Sequence, residues 1–165
     1  MRKVRKVKKA IKSIELIVFD FDGVMTDNTV YLDQNGVESV RVSRADGYGI
    51  QILKNLGYRI LILSSERNPV VTARANKLNI DVIQGCKDKV TSLNEFLRKN
   101  RLLLDNTLYV GNDMNDFKVM KSVGLCAAPK DAHIKVRMIS DIRLKTSGGY
   151  GVARELADLL ENNYS

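Results

Sequence analysis

The order of hydrophobic patterns in this chain of 165 residues predicts an α/β fold, a parallel sheet covered by helices on both faces. Three observations carry that expectation. Short apolar runs of strand length alternate with helical stripes of about ten residues. The run at 14–20, "IELIVFD", is apolar almost throughout, as a strand buried on both faces must be. Polar clusters fall at the ends of the strands, where open sheets of this kind gather ligands.

Taken in order, the first strand is followed by "TVYLDQNGVESVRV" (29–42), two alternating β-rich segments around Asn35-Gly36 that predict a hairpin flap. Ile50, Leu53 and Leu56 form a helical stripe closed by Gly57. "YRILILS" (58–64) is the next strand. Asn68 then suits an N-cap, with Pro69 at the first helical position of a helix running to about Leu78. "IDVIQG" is a strand, "VTSLNEFLRKN" a helix, "TLYVG" a strand, "NDFKVMKSVG" a helix and "LCAAP" a short strand. A last helix is expected from Tyr150 to about Leu160.

Composition agrees with a soluble globular protein: 44% hydrophobic, 28% charged and two prolines. No apolar stretch approaches the roughly 18–20 residues of a membrane span, and the N-terminus lacks a signal-peptide pattern, so a cytoplasmic location is expected. Cys86 and Cys126 adjoin apolar segments outside any CxxC pair and suit free thiols. The net charge of +8 is local: Arg2, Lys3, Arg5, Lys6, Lys8, Lys9 and Lys12 supply seven of the 27 basic residues. The remainder is nearly neutral, 20 bases against 19 acids. This divides the chain into a basic arm, 1–13, and one domain, 14–165. With no aromatic platform or basic groove, the arm suits a solvated terminus better than a nucleic-acid contact. His133, the single histidine, has no partner visible in sequence.

Four polar clusters end four strands. Asp20, Asp22 and Gly23 end the first, Ser64 the second; Lys89 follows Gln84-Gly85, and Asn112, Asp113 and Asp116 follow Gly111. Two aspartates at a buried strand end are costly unless a cation lies between them or one keeps a proton. Carboxylates and an amide oxygen, without histidine or thiolate, suit a hard cation such as Mg2+. Taken singly, Ser64 is a turn residue, Lys89 a solvated lysine, and Asp27 or Asp116 an N-cap. Gathered at one sheet edge, they make a better site for a phosphate and its cation.

"DFDGVMTD" (20–27), the strand-end Ser64, Lys89 and "GNDMND" (111–116), in this order, resemble the haloacid dehalogenase superfamily of phosphohydrolases over nearly the whole chain. The resemblance implies a Rossmann-like three-layer sheet and a phosphoric monoester hydrolase. Asp20 would be the nucleophile that forms an aspartyl-phosphate and Asp22 the general acid and base, while Ser64 and Lys89 steady the phosphoryl oxygens. Mg2+ would be held by Asp20, Asp22, Asn112 and Asp113, with Asp116 behind them.

The segments between motifs leave no room for a cap domain. The hairpin, "DGYGI" (46–50) and "SGGYGVARE" (147–155) are similar to the small capless phosphatases of phosphorylated 3-deoxy-2-ulosonic acids, which form homotetramers. By that resemblance Gly148, Gly149 and the segment to Arg154 would form a mobile tail over a site. Ser65-Glu66 after Ser64, in place of the octulosonate branch's Gly-Arg, resembles the branch acting on nonulosonate 9-phosphates of the KDN or N-acetylneuraminate type. Arg74 and Lys77 match that branch's sugar-acid contacts, and Ala45 stands where the octulosonate branch usually has arginine. One departure is Asn112, where the family usually has aspartate; a weaker metal site is implied. Three rivals stand beside this reading: an octulosonate 8-phosphate phosphatase, an oligomerisation module like the C-terminal domain of sialic acid cytidylyltransferases, and a phosphatase of nucleic-acid ends.

Overall fold

The computed structural model describes residue 7 and residues 10–164, the side chains of 163 and 164 excepted. Six parallel strands form the main sheet: β1 (Leu16–Phe19), β4 (Arg59–Leu63), β5 (Asp81–Ile83), β6 (Thr107–Val110), β7 (Leu125–Ala128) and β8 (Ile142–Arg143). Their spatial order is β5-β4-β1-β6-β7-β8. The short strands β2 (Tyr31–Leu32) and β3 (Glu38–Ser39) form the hairpin. Between and after the strands run α1 (Arg44–Asn55), α2 (Val70–Leu78), α3 (Lys89–Asn100), α4 (Phe117–Met120), α5 (Ile134–Ile139) and α6 (Val152–Tyr164).

The two-residue period of the strands divides the core. Ile17, Phe19, Ile60, Ile62, Leu108 and Val110 face one side, packed with residues of α1, α2 and α6. Leu16, Val18, Leu61, Leu63 and Tyr109 face the other, packed with α3, α4 and α5. β1 is fully buried because it is central and covered on both faces. After β1 the chain crosses first to one side and then to the other, so the tips of β4, β1 and β6 lie side by side at a topological switch point.

Several elements differ from the sequence expectations. α4 is four residues long rather than ten; Ser122 Oγ bonds Val119 O at 2.8 Å, competing with continuation of the helix. α5 and β8 were not foreseen, being too short for periodicity to register. His133 is the N-cap of α5, accepting from Lys135 N at 3.2 Å. The hairpin pairs two residues per strand instead of a long ladder, and closes through Asp33 Oδ1, which accepts from Asn35 N and Val37 N. Val7 and Ala10 pack against the core and Ile11 is buried in it, so these three apolar residues of the basic arm join the domain. Most of the arm's basic residues lie outside the described residues. No helix among the described residues is long and apolar enough to cross a membrane.

"DGYGI" and "SGGYGVARE" lock α1 to α6. Asp46, 1% exposed, accepts from Ala153 N at 2.8 Å and so caps α6 from a different helix. Gly49 allows the close approach, since a Cβ there would lie 2.5 Å from the Ala153 backbone. Burial raises the Asp46 carboxyl to about 6, against the bonds from α6; its Oδ2 has no hydrogen-bond partner among the described residues. A folded value above the unfolded 3.8 favours folding most below pH 4 and loses that contribution as pH rises through 6. D46N keeps the acceptor without the charge. Its stability relative to wild type is expected to rise by about 2–3 kcal/mol between pH 4 and pH 7 in urea titrations, and a constant difference would refute the assignment.

Candidate active site

Backbone pairing carries past the strand ends and fixes the first site residues. Asp20 N bonds Val110 O at 2.9 Å, Ser64 N bonds Ile83 O at 2.9 Å, and Gly111 N bonds Ala127 O at 3.2 Å. The three tips open onto a cavity of about 340 Å³. Asp20, Asp22, Ser64, Ser65, Glu66, Asn112 and Asp113 line it, as expected from sequence; Asn28, Met114 and Asn115 complete it. Asn28 directly follows "DFDGVMTD", and Met114 and Asn115 lie inside "GNDMND" itself; their position in strand-end loops was the signal available for them.

Asp20 is 4% exposed. Its Oδ1 accepts from Phe21 N at 2.7 Å and pairs with Lys89 Nζ at 2.8 Å. Burial, then repulsion from Asp116, raises its carboxyl to about 8, with Lys89 opposing. Asp22 is half-buried and also raised, first by burial and then by Glu66; the Thr26 hydroxyl, 3.5 Å from its Oδ1, works the other way. Burial works against the charge on Lys89, yet Asp20 and Asp116 outweigh it and its ammonium is stabilised. Asp116, fully buried, is neither a simple cap nor a cavity residue. Its Oδ1 accepts from Lys89 Nζ at 2.6 Å and from Tyr109 OH at 2.8 Å, while Oδ2 accepts from Asn112 N at 2.9 Å and Asp113 N at 3.3 Å.

Among the described residues no three His, Cys, Asp or Glu side chains group as metal ligands. The oxygen set here is of mixed type, and one member marks it. Asn112 Oδ1 is buried without a hydrogen-bond partner among the described residues. The amide nitrogen of the same side chain lies against Gly23, where a Cβ would come within 1.9 Å of it. An orphaned carbonyl-type oxygen beside two carboxylates fits a hard cation.

Three expectations need correction. Lys89 does not line the cavity; it lies behind Asp20, buried between two carboxylates. Arg74 and Lys77 do not reach it either. α2 leaves the tip of β4 and runs back towards the opposite edge of the sheet, and Lys77 sits exposed in its last turn. Arg74 turns to α1, donating to Ser43 O at 2.8 Å near Asp46. Among the described residues no Lys or Arg lines the cavity. The third correction concerns the tail. Gly148 and Gly149 are buried, and Gly149 N bonds Val24 O at 3.0 Å. A Cβ on Gly148 would lie 2.2 Å from Gly23 O, so this loop is a fixed buttress behind the aspartate loop of its own chain.

Residues 60–156 match the family of haloacid dehalogenase-like hydrolases. The chain is 33% identical over 150 residues to the 3-deoxy-D-manno-octulosonate 8-phosphate phosphatase of Escherichia coli, covering 90% of this chain and 80% of that one. Identity to the Yersinia pestis enzyme of the same name is 34% over 149 residues, with the same coverage. A putative hydrolase of this superfamily from Streptomyces avermitilis superposes with a TM-score of 0.87 at 41% identity, covering 90% of this chain and 85% of that one. The Moraxella catarrhalis octulosonate phosphatase, solved with magnesium, phosphate and KDO, gives 0.92 at 29% identity, covering 96% and 92%.

Proposed function

This chain belongs to the haloacid dehalogenase-like hydrolases, and from that premise we propose that it is a magnesium-dependent phosphatase of a sugar-acid phosphate monoester, acting on a nonulosonate 9-phosphate of the KDN or N-acetylneuraminate type. Phosphoric monoester hydrolysis and Mg2+ follow from the family. The finer substrate reading rests on Glu66. Its Oε1 is held by Arg67 N at 2.6 Å and Asn68 N at 2.7 Å, which fixes a carboxylate in the cavity wall. A fixed carboxylate accepts from sugar hydroxyls and repels a sugar carboxylate nearby. A substrate whose carboxyl lies at the far end from its phosphate suits that wall, and one more carbon carries it further.

Asp20 Oδ1 is occupied by Phe21 N and Lys89, which leaves Oδ2 to attack phosphorus. Asp22, with its raised carboxyl, donates a proton to the departing sugar oxygen and then takes one from the water that opens the aspartyl-phosphate. Ser64 holds a phosphoryl oxygen from the cavity wall, and Lys89, 2.8 Å behind Asp20 Oδ1, reaches one by turning part of its hydrogen bonding away from its two carboxylate partners. Mg2+, when bound by Asp20, the Asp22 carbonyl, Asn112 and Asp113, supplies charge neutralisation at the phosphoryl group.

Turnover of a nonulosonate 9-phosphate should exceed that of 3-deoxy-octulosonate 8-phosphate by at least about tenfold in kcat/KM, the effect of one fixed charge. The reverse ratio would assign the chain to the activity its curated relatives are named for. A folded protein inactive on both would favour the oligomerisation module, to which Asn112 points.

A homotetramer is part of this reading. Val30, Tyr31, Leu32 and Val37 on the hairpin are each more than half exposed, an apolar surface left uncovered within one chain. The cavity, lined by no basic side chain among the described residues, also needs a cation for the sugar carboxylate. Replacing Tyr31 and Leu32 by serine is expected to shift the mass in light scattering from tetramer to smaller species; an unchanged mass would exclude the hairpin as the contact.

A further inference from the structure

Tyr109 is a buried phenol to which the chemistry above gives no task. It stands on β6 between Leu108 and Val110, fully buried on the side of α3 and α4. A buried phenol needs a hydrogen-bond partner, and most positions in such a strand are filled by side chains with no polar atom. Here the hydroxyl donates to Asp116 Oδ1 at 2.8 Å, the oxygen that Lys89 Nζ approaches at 2.6 Å. The other oxygen of Asp116 accepts from the backbone of Asn112 and Asp113. One carboxylate thus joins the phosphoryl-binding lysine to the loop carrying the metal-side oxygens, and the phenol is its fourth donor.

The consequence is a competition for Lys89. Its ammonium lies between Asp20 and Asp116, and must turn part of its hydrogen bonding to the phosphoryl group when substrate enters. A donor on Asp116 Oδ1 satisfies part of that oxygen's charge and reduces its hold on Nζ. Without it, Asp116 would draw the lysine back and would itself be free to rotate away from the 112–113 backbone.

We propose that Tyr109 is a positioning residue for phosphoryl transfer: through Asp116 it keeps Lys89 available to the phosphoryl group and the 112–113 loop in register with it. The inference rests on the phosphatase reading. A purely structural phenol would affect melting temperature and leave phosphate affinity alone.

Y109F keeps the ring and removes the donor. It is to be compared with wild type, D116N and the double variant in magnesium buffer, using turnover of p-nitrophenyl phosphate and of a nonulosonate 9-phosphate, inhibition by inorganic phosphate, and thermal melting. Y109F is expected to lower kcat/KM and to raise the phosphate inhibition constant by about tenfold or more, the usual weight of a hydrogen bond to a charged group. In the D116N background it should change neither. Incorporation of 4-aminophenylalanine at 109 retains a donor and should recover phosphate affinity, which keeps the test open if Y109F does not fold. Wild-type values in Y109F, an equal loss in the D116N background, or no recovery with the amino analogue would each overturn the proposal. An active wild type with an unaffected Y109F refutes this inference alone; an inactive wild type removes the phosphatase reading along with it.

Discussion

D20N is expected to lower phosphate release by at least about 10⁴-fold while the protein stays folded, the scale seen when a covalent nucleophile is removed. The asparagine keeps an acceptor oxygen for Phe21 N and Lys89 Nζ, the two donors that Asp20 Oδ1 holds. What it loses is the second carboxylate oxygen, the one left to attack. In metal-free protein the variant should gain stability over wild type as pH rises. The folded Asp20 value of about 8 stands above the unfolded 3.8, so its contribution to folding is full below pH 4 and disappears as pH passes 8. Magnesium should raise the melting temperature of wild type, because a cation bound to the folded state stabilises it by mass action, and should raise that of D20N much less. Turnover above a hundredth of wild type would exclude the aspartyl ester.

The electrostatics also explain why the cation is needed. With no cation, the pocket surrounds one ammonium with Asp20 and Asp116, and Asp22 faces Glu66. That arrangement disfavours the ionised Asp20 which attack requires. A divalent cation held by the orphaned Asn112 oxygen and its neighbours would reverse the balance. In that ligand set Asn112 would contribute one negative charge fewer than an aspartate, which would place a larger burden on Asp20 and Asp113.

How much of this was legible in the sequence depended on length and on direction. β1, β4 and β6 were legible because three or four consecutive buried apolar residues have few other uses, and the polar residues just after them were placed by the parallel topology. α5 and β8 escaped because six and two residues give no period. The resemblance to the nonulosonate branch, not any local pattern, assigned Arg74 and Lys77 to the sugar; on α2, Arg74 stands beside the Val71 and Ala75 stripe that faces the core, and Lys77 lies in the last turn, far from the strand tip. The mobile tail was implied by the resemblance of "SGGYGVARE", whereas here its glycines serve close contact with the aspartate loop, which sequence similarity does not carry. Asp116 and Tyr109 meet across seven residues in a geometry that no local pattern encodes.

D22N should separate the two half-reactions. Burial and Glu66 keep the Asp22 carboxyl protonated to higher pH than an ordinary aspartate, which is what a donor to a sugar alkoxide requires. An asparagine there can neither donate that proton nor later accept one from water. With a sugar phosphate, turnover should therefore fall by about 10²–10⁴-fold, the weight of a positioned acid or base. p-Nitrophenolate leaves without a proton, so with p-nitrophenyl phosphate the first half-reaction survives. Stopped-flow absorbance should then show a burst of one nitrophenolate per active site, followed by a slow steady state in which the aspartyl-phosphate waits for an unactivated water. Equal losses on the two substrates with no burst would mean that Asp22 is not the acid, and the proton donor would have to be sought among the remaining cavity residues.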